Sequence, residues 1–154
     1  MSEIMVPTAP GNATSDAVLL ASLQYFPATE TGYPTTSPVF ADLDATNLAI
    51  TFVVPGSGAV IVRQEALTLP QTTGYLSWNL RDAAGNVANT PVRVAGGGAQ
   101  QLRSLASRKV TGLTPEATVT WKWGQARSGS GTLQTYVGAA DGEVGPAVME
   151  VWSA

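Results

Sequence analysis

The chain of 154 residues contains neither histidine nor cysteine. These absences remove the imidazole as a general base, the thiolate as a nucleophile, and the usual ligand sets for zinc, copper, haem and iron–sulfur clusters. They also exclude a disulfide framework, so the sequence carries no redox signature of its compartment. We therefore expect a structural or binding protein without a cofactor or a metal, and not an enzyme.

Charged residues are scarce as well, at 12 % of the chain against roughly 25 % in typical soluble domains. All eight Lys and Arg lie between Arg63 and Arg127, whereas residues 1–62 carry acidic residues and no basic one. This distribution arises by chance or reflects an acidic segment that meets a basic surface, in the same chain or in a neighbouring copy. The net charge of −3, with no dense basic patch, argues against a nucleic acid partner.

From residue 39 onward, about nine short segments alternate between apolar and polar residues, and turn signals separate them. In the segment 48–54, for example, alternation places Leu48, Ile50 and Phe52 on one face. This pattern predicts an all-β fold, an antiparallel, jelly-roll-like β-sandwich over residues 39–154. The last segment, Ala147–Trp152, is apolar on both faces, which predicts a strand inside a sheet and not at a free edge.

Residues 1–38 hold half of the ten prolines and no long alternating pattern. We interpret them as an extended N-terminal arm that another chain holds in place. Residues 17–26 within it fit a short helical turn or a strand. The first ten residues lack the features of a secretory signal and the apolar run 17–23 is too short to span a bilayer, so no membrane partner is expected. The predicted apolar anchor of the arm consists of Leu19, Leu20, Leu23, Tyr25 and Phe26.

Trp121 and Trp123 share one face of a predicted strand. Such a pair serves either as a core or subunit-interface anchor, which is the more common role in a small sandwich, or as an exposed row that stacks on sugars.

Carboxylates are the remaining catalytic or metal-binding option. Asp42 and Asp44 share strand parity, and with Asp141 and Glu143 they are candidates for a calcium site or, less readily, a glycosidase pair. An ordinary turn role for Asp44 is the favoured interpretation.

Several motifs are similar to small virion proteins of tailed bacteriophages that infect actinobacteria, often called minor tail or structural proteins. The resemblance covers residues 40–154, and its most specific part is the ending Gly145–Trp152. The other segments that carry it are Asp44–Leu48, Phe52–Gly58, Val60–Arg63, Val110–Pro115 and Trp121–Gly124.

The resemblance implies a β-sandwich on the virion surface that forms a homotrimer, and it transfers no catalytic residue. A tail fibre needs a shaft, and the chain has no coiled-coil or repeat pattern for one. We therefore expect a capsid decoration or head-fibre protein that contacts the major capsid or another virion protein through its N-terminal arm. The alternative is a tail-tip or receptor-binding module that recognises a host-surface glycan.

Overall fold

The computed structural model describes residues 17–70, 74–87, 91–96, 101–139 and 144–154. These ranges contain strands, turns and loops and no helix. In chain order the strands are β1 (Leu19–Tyr25), β2 (Thr31–Thr35), β3 (Ala41–Asp42), β4 (Ala49–Val53), β5 (Val60–Pro70), β6 (Gly74–Asp82), β7 (Gly85–Asn86), β8 (Val92–Gly96), β9 (Leu102–Val110), β10 (Thr118–Gly129), β11 (Leu133–Val137) and β12 (Ala147–Ser153).

The first sheet, sheet A, is built around β5. On one side β5 pairs with β9, and on the other it pairs first with β12 and then with β11. Beyond these, β1 pairs with β12 and β2 pairs with β11. Every one of these pairings is antiparallel. The long strand β5 therefore pairs with other strands along both of its edges and connects the two sides of sheet A.

The second sheet, sheet B, is built around the long strand β10. One edge of β10 pairs with β6, and the other pairs with β4 and β3. The strands β7 and β8 pair with the far edge of β6. All of these pairings are antiparallel as well. The antiparallel β-sandwich predicted from the sequence is confirmed.

The core lies between the two sheets and follows the alternation seen in the sequence. Leu48, Ile50 and Phe52 are buried on the inner side of sheet B, and Val60 and Val62 are buried on the inner side of sheet A. Aromatic rings fill the widest part of the space. Phe52 and Trp121 lie edge to face with centroids 4.9 Å apart, and the rings of Trp78 and Trp123 do the same at 4.7 Å. Such pairs contribute roughly 0.5–1.5 kcal/mol beyond their buried area.

The turn between β4 and β5 depends on a glycine. Gly58 has φ of 64°, and a Cβ atom at this position would lie 2.7 Å from the carbonyl oxygen of Leu113. The carbonyl of Gly58 in turn accepts a hydrogen bond from the amide of Leu113, at 3.0 Å. A residue without a side chain therefore lets the β9–β10 connection pack against this turn.

The described part of the predicted N-terminal arm belongs to the sandwich, which corrects the boundary at residue 38. Residues 19–25 form a strand along β12, with Leu23 opposite Met149 and Tyr25 opposite Ala147. Residues 31–35 form a second strand along β11. The helical alternative for residues 17–26 is also wrong. Residues 1–16 lie outside the described residues.

The prediction for the last strand is confirmed, because β12 lies between β1 and β5. Met149 and Val151 are fully buried on its inner side. Its outer side carries Val148 and Trp152, both partly exposed. The apolar residues on one side of β12 therefore pack in the core, whereas those on its other side lie on the outer surface of the sheet.

Candidate interaction faces

Both tryptophans that were candidates for a glycan-binding row are inside the protein. Trp121 and Trp123 are 2 % and 0 % exposed, and both pack between the sheets. The glycan role of these two residues is therefore wrong, because a buried ring cannot stack on a sugar. Alternation along β10 placed them correctly on one face, but it did not indicate which face was covered.

The five residues of the predicted anchor divide between the core and the surface. Leu20, Leu23 and Tyr25 pack against the hydrophobic core of their own chain. Leu19 and Phe26 stay exposed, at 43 % and 40 %, at the two ends of β1. Three of the five are thus structural residues of the sandwich, and only the latter two are available to a partner.

The aspartates of the predicted calcium site have separate structural roles. Asp42 forms an ion pair with Arg81 at 2.7 Å and another with Lys122 at 3.3 Å. Asp44 begins a turn, where its Oδ1 accepts hydrogen bonds from the amides of Thr46 and Asn47, at 3.0 and 2.9 Å. Burial opposes ionisation of Asp44, but the bonds from Asn47 and Thr46 outweigh it and hold its pKa below the ordinary value.

The turn role of Asp44 therefore prevails over the metal role. Asp141 and Glu143 lie outside the described residues. Within the ranges that the structure covers, no three His, Cys, Asp or Glu side chains come together as a set of metal ligands.

The outer side of sheet A, called face A below, carries apolar residues at both ends of β5 and charged residues between them. The alternation of buried and partly exposed residues along its strands defines which side chains point outward. Its most exposed apolar side chain is that of Leu105 on β9, at 54 %. The apolar and aromatic members of face A are Ile61, Leu67, Leu69, Leu105, Tyr136, Val148 and Trp152.

An ion network lies among these apolar residues. Glu65 accepts one contact from Arg103 and one from Arg63, both at 2.7 Å. Arg63 also lies 3.8 Å from Glu150, whose carboxylate accepts a hydrogen bond from Trp152 Nε1 at 3.3 Å. The hydrogen bond from Arg103 has the largest effect and lowers the pKa of Glu65; burial opposes it, and the contact with Arg63 lowers the pKa further. The two positive and two negative charges of this network balance each other, and Lys109, opposite Ile61 on β9, adds one further positive charge to face A.

The outer side of sheet B, called face B below, has a different composition. Thr51 and Thr120 share a hydrogen bond of 2.7 Å between their hydroxyl groups across β4 and β10. The side chain of Arg81 crosses β10 above Gly124 to reach Asp42, and there is no room for a Cβ atom at that glycine. Face B therefore carries hydroxyl groups, the ion pairs of Asp42 with Arg81 and Lys122, and the exposed side chain of Val53.

A buried guanidinium at the edge of the core is a feature that composition did not reveal. Arg108 extends inward from β9 and donates to Asn79 Oδ1, Gln64 Oε1 and the carbonyl of Trp78, at 2.8, 2.9 and 3.0 Å. All three acceptors are neutral. Burial lowers the pKa of Arg108 to about 10, which leaves the group charged at neutral pH. Arg108 shares the inward side of β9 with the buried Ser104 and Ala106, and its partners come from strands far apart in the sequence.

Within the described ranges, no helix has the length and apolarity needed to cross a membrane. No protein-family model matches the chain, and a comparison with curated proteins gives no match.

Comparison with solved structures gives matches of low similarity. A crystal structure of the infectious bursal disease virus VP2 subviral particle matches with a TM-score of 0.29 and 10 % identity, over 96 % of this chain and 41 % of that chain. T=1 particles derived from infectious bursal virus match with the same TM-score and identity, over 96 % of this chain and 40 % of that one. The chain thus spans about two fifths of the length of these proteins.

Proposed function

We propose that this protein is a non-enzymatic structural component of the virion of a tailed bacteriophage that infects actinobacteria. Within the virion we assign it to the capsid surface, as a decoration or head-fibre protein. The sequence resemblance over residues 40–154 supports the class of protein. The lack of histidine and cysteine and the structural roles of Asp42 and Asp44 support a role without catalysis.

The observation that carries the proposal is face A. Apolar side chains that stay partly exposed on an outer surface, here grouped on both sides of the ion network, are suited to contacts with other proteins. The ion network of Glu65, Arg63 and Arg103 is already paired within the chain, so a partner can cover it without leaving a charge unpaired. Face A is therefore suited to burial against a flat protein surface.

We assign face A to the contact between copies of this chain in a homotrimer. A closed ring of three copies hides the same apolar surface on every subunit. The contact with the major capsid protein or another virion protein then falls to the edge formed by β1, where Leu19 and Phe26 are exposed. This assignment replaces a free arm by two exposed side chains held on a strand.

The direct test is mass spectrometry of purified virions, combined with gold-labelled antibodies viewed by electron microscopy. The expected result is labelling of the capsid surface. Labelling confined to the tail tip would instead support the alternative of a receptor-binding protein, and absence of the protein from virions would refute a structural role.

Attachment can be tested separately from location. Particles that lack the protein are mixed with the wild type or with a Leu19→Ser, Phe26→Ser double variant. The double variant should fold, because both side chains are already exposed, and it should bind the particles more weakly. Equal binding would show that the β1 edge is not the attachment surface.

A further inference from the structure

A groove of about 410 Å³ opens on the outside of the sandwich at one end of face B. Its volume falls in the range of roughly 300–1,000 Å³ that small-molecule sites occupy. The groove lies on sheet B and the connections beside it, whereas face A belongs to the other sheet. The lining residues are Pro38, Phe40, Ser77, Pro91, Arg93, Ala126, Arg127 and Ser128.

Arg127 is held in a fixed orientation at one wall. Its Nε donates to the carbonyl of Thr36 at 2.6 Å, and its Nη1 donates to the carbonyl of Gly129. These bonds hold the guanidinium between two backbone segments. Its charge is not neutralised, because both acceptors are neutral.

Arg93, another lining residue, is oriented by a contact with an aromatic ring. Its guanidinium lies over the ring of Tyr75, 4.5 Å from the ring centroid. Among the described residues, no carboxylate lies within ion-pair distance of Arg93 or Arg127. The lining contains no Asp or Glu either. The groove therefore presents two positive charges to a ligand, and a ligand with a negative charge fits it.

The remaining lining residues indicate which class of ligand the groove fits. Pro38, Phe40 and Pro91 form apolar walls, and Ser77 and Ser128 place hydroxyl groups beside the arginines. Sugar rings present C–H groups to apolar walls and hydroxyl groups to serines, and a uronate adds the carboxylate that a guanidinium binds through two parallel hydrogen bonds. We propose that this groove binds a saccharide that contains hexuronate. The proposal is independent of the virion role and of the buried tryptophans.

Binding is measured by isothermal titration calorimetry on the full chain, with digalacturonate and diglucuronate as probes. Neutral galactobiose and inorganic phosphate are the comparison ligands. The expected result is saturable binding of at least one uronate disaccharide, which weakens as NaCl increases. Neither galactobiose nor phosphate should bind with comparable affinity.

The variant Arg93→Gln should weaken uronate binding about tenfold, the effect of losing one charge-assisted contact. Arg63→Gln on face A is the matched control, because it removes one exposed guanidinium from the opposite sheet and should leave uronate binding unchanged. Thermal melting of both variants checks that each is folded.

Three results would overturn the proposal: no saturable uronate binding, equal affinity for galactobiose or phosphate, or unchanged affinity in folded Arg93→Gln. Equal loss of binding in the Arg63→Gln control would also refute it, since the effect would then come from overall charge and not from the groove.

Discussion

The two outer faces of this sandwich differ although the two sheets share one core. Face A combines apolar side chains such as Leu105 with ions that pair among themselves. Face B carries hydroxyl groups, exemplified by the Thr51–Thr120 pair, and a groove with two unneutralised arginines. An isolated sandwich needs only one covered side per sheet. In the proposed assembly face A is covered by other copies of the chain, whereas face B stays open to solvent.

The description of face A depends on β12, the C-terminal strand, being required for sheet A to form. Deletion of residues 147–154 should abolish folding, because β12 pairs with both β1 and β5 and brings Met149 and Val151 into the core. Circular dichroism and thermal melting measure the result. Removal of Ala154 alone, which costs one backbone hydrogen bond to Ala59, is the control and should leave a folded protein. A soluble 1–146 fragment with a cooperative melting transition would contradict the assignment of β12 as a central strand.

Substitutions at two tryptophans compare the stability contributed by the core with that contributed by face A. Trp123→Ala should reduce the free energy of unfolding by about 3–5 kcal/mol, because it leaves a cavity beside Trp78. Trp152→Ala, on the partly exposed face A, should cost the isolated chain about 1 kcal/mol or less. Urea denaturation at a protein concentration where the chain is monomeric gives both values. Similar losses for the two variants would mean that face A is as well packed as the core in a single chain.

A pair of exposed aliphatic residues tests whether the faces differ in their partners. Leu105 on face A and Val53 on face B are similarly exposed, at 54 % and 49 %. Leu105→Asp should dissociate the proposed homotrimer, because a new carboxylate would be buried without a partner. Val53→Asp should leave it intact. Light scattering should give three times the mass of one chain for the wild type and for Val53→Asp, and the mass of one chain for Leu105→Asp. A wild type that is monomeric at micromolar concentration would remove the trimer from the proposal.

The smallest expected effect comes from titration of Glu65 on face A. Its pKa is lowered in the folded chain, so the stability it contributes is present above the ordinary value of 4.5 and is lost as the pH falls through the lower folded pKa. The free energy of unfolding of the wild type should therefore decrease below pH 4.5 more steeply than that of Glu65→Gln. Chemical denaturation between pH 3 and pH 7 compares the two proteins. Parallel profiles would show that the contacts with Arg63 and Arg103 contribute nothing measurable in solution, as holds for many surface ion pairs.

Sequence patterns predicted strands and parity well, because both follow from local alternation. In the segment 48–54, Leu48, Ile50 and Phe52 share one face by alternation, and all three are buried. Parity does not state which side of a strand is covered, so the burial of Trp121 and Trp123 could not be derived from β10 alone. It depends on Phe52 and Trp78, which reach these rings from other strands.

The incorporation of residues 19–35 into the sandwich could not be predicted for a related reason. The strand β1 alternates weakly, and its pairing partner β12 lies more than a hundred residues away in the sequence. Prolines made residues 1–38 resemble an extended arm, but Pro34 lies in the edge strand β2, where a missing amide donor is tolerated. The candidate groove also joins segments from four parts of the chain, and no local spacing encodes it.

The buried guanidinium of Arg108 has a consequence for how the chain reaches this fold. Its three acceptors come from β5 and β6, and all three are reached only when Arg108 lies opposite Val62. If β9 slips by two residues along β5, alternation is preserved and the aliphatic contacts can re-form, but the charge moves away from Asn79 and the carbonyl of Trp78. A charge that loses its hydrogen-bond partners in a partly buried site destabilises the fold. Arg108 therefore disfavours misaligned sheets that hydrophobic burial alone would tolerate, so a neutral replacement such as Arg108→Met should widen the set of competing misfolded states.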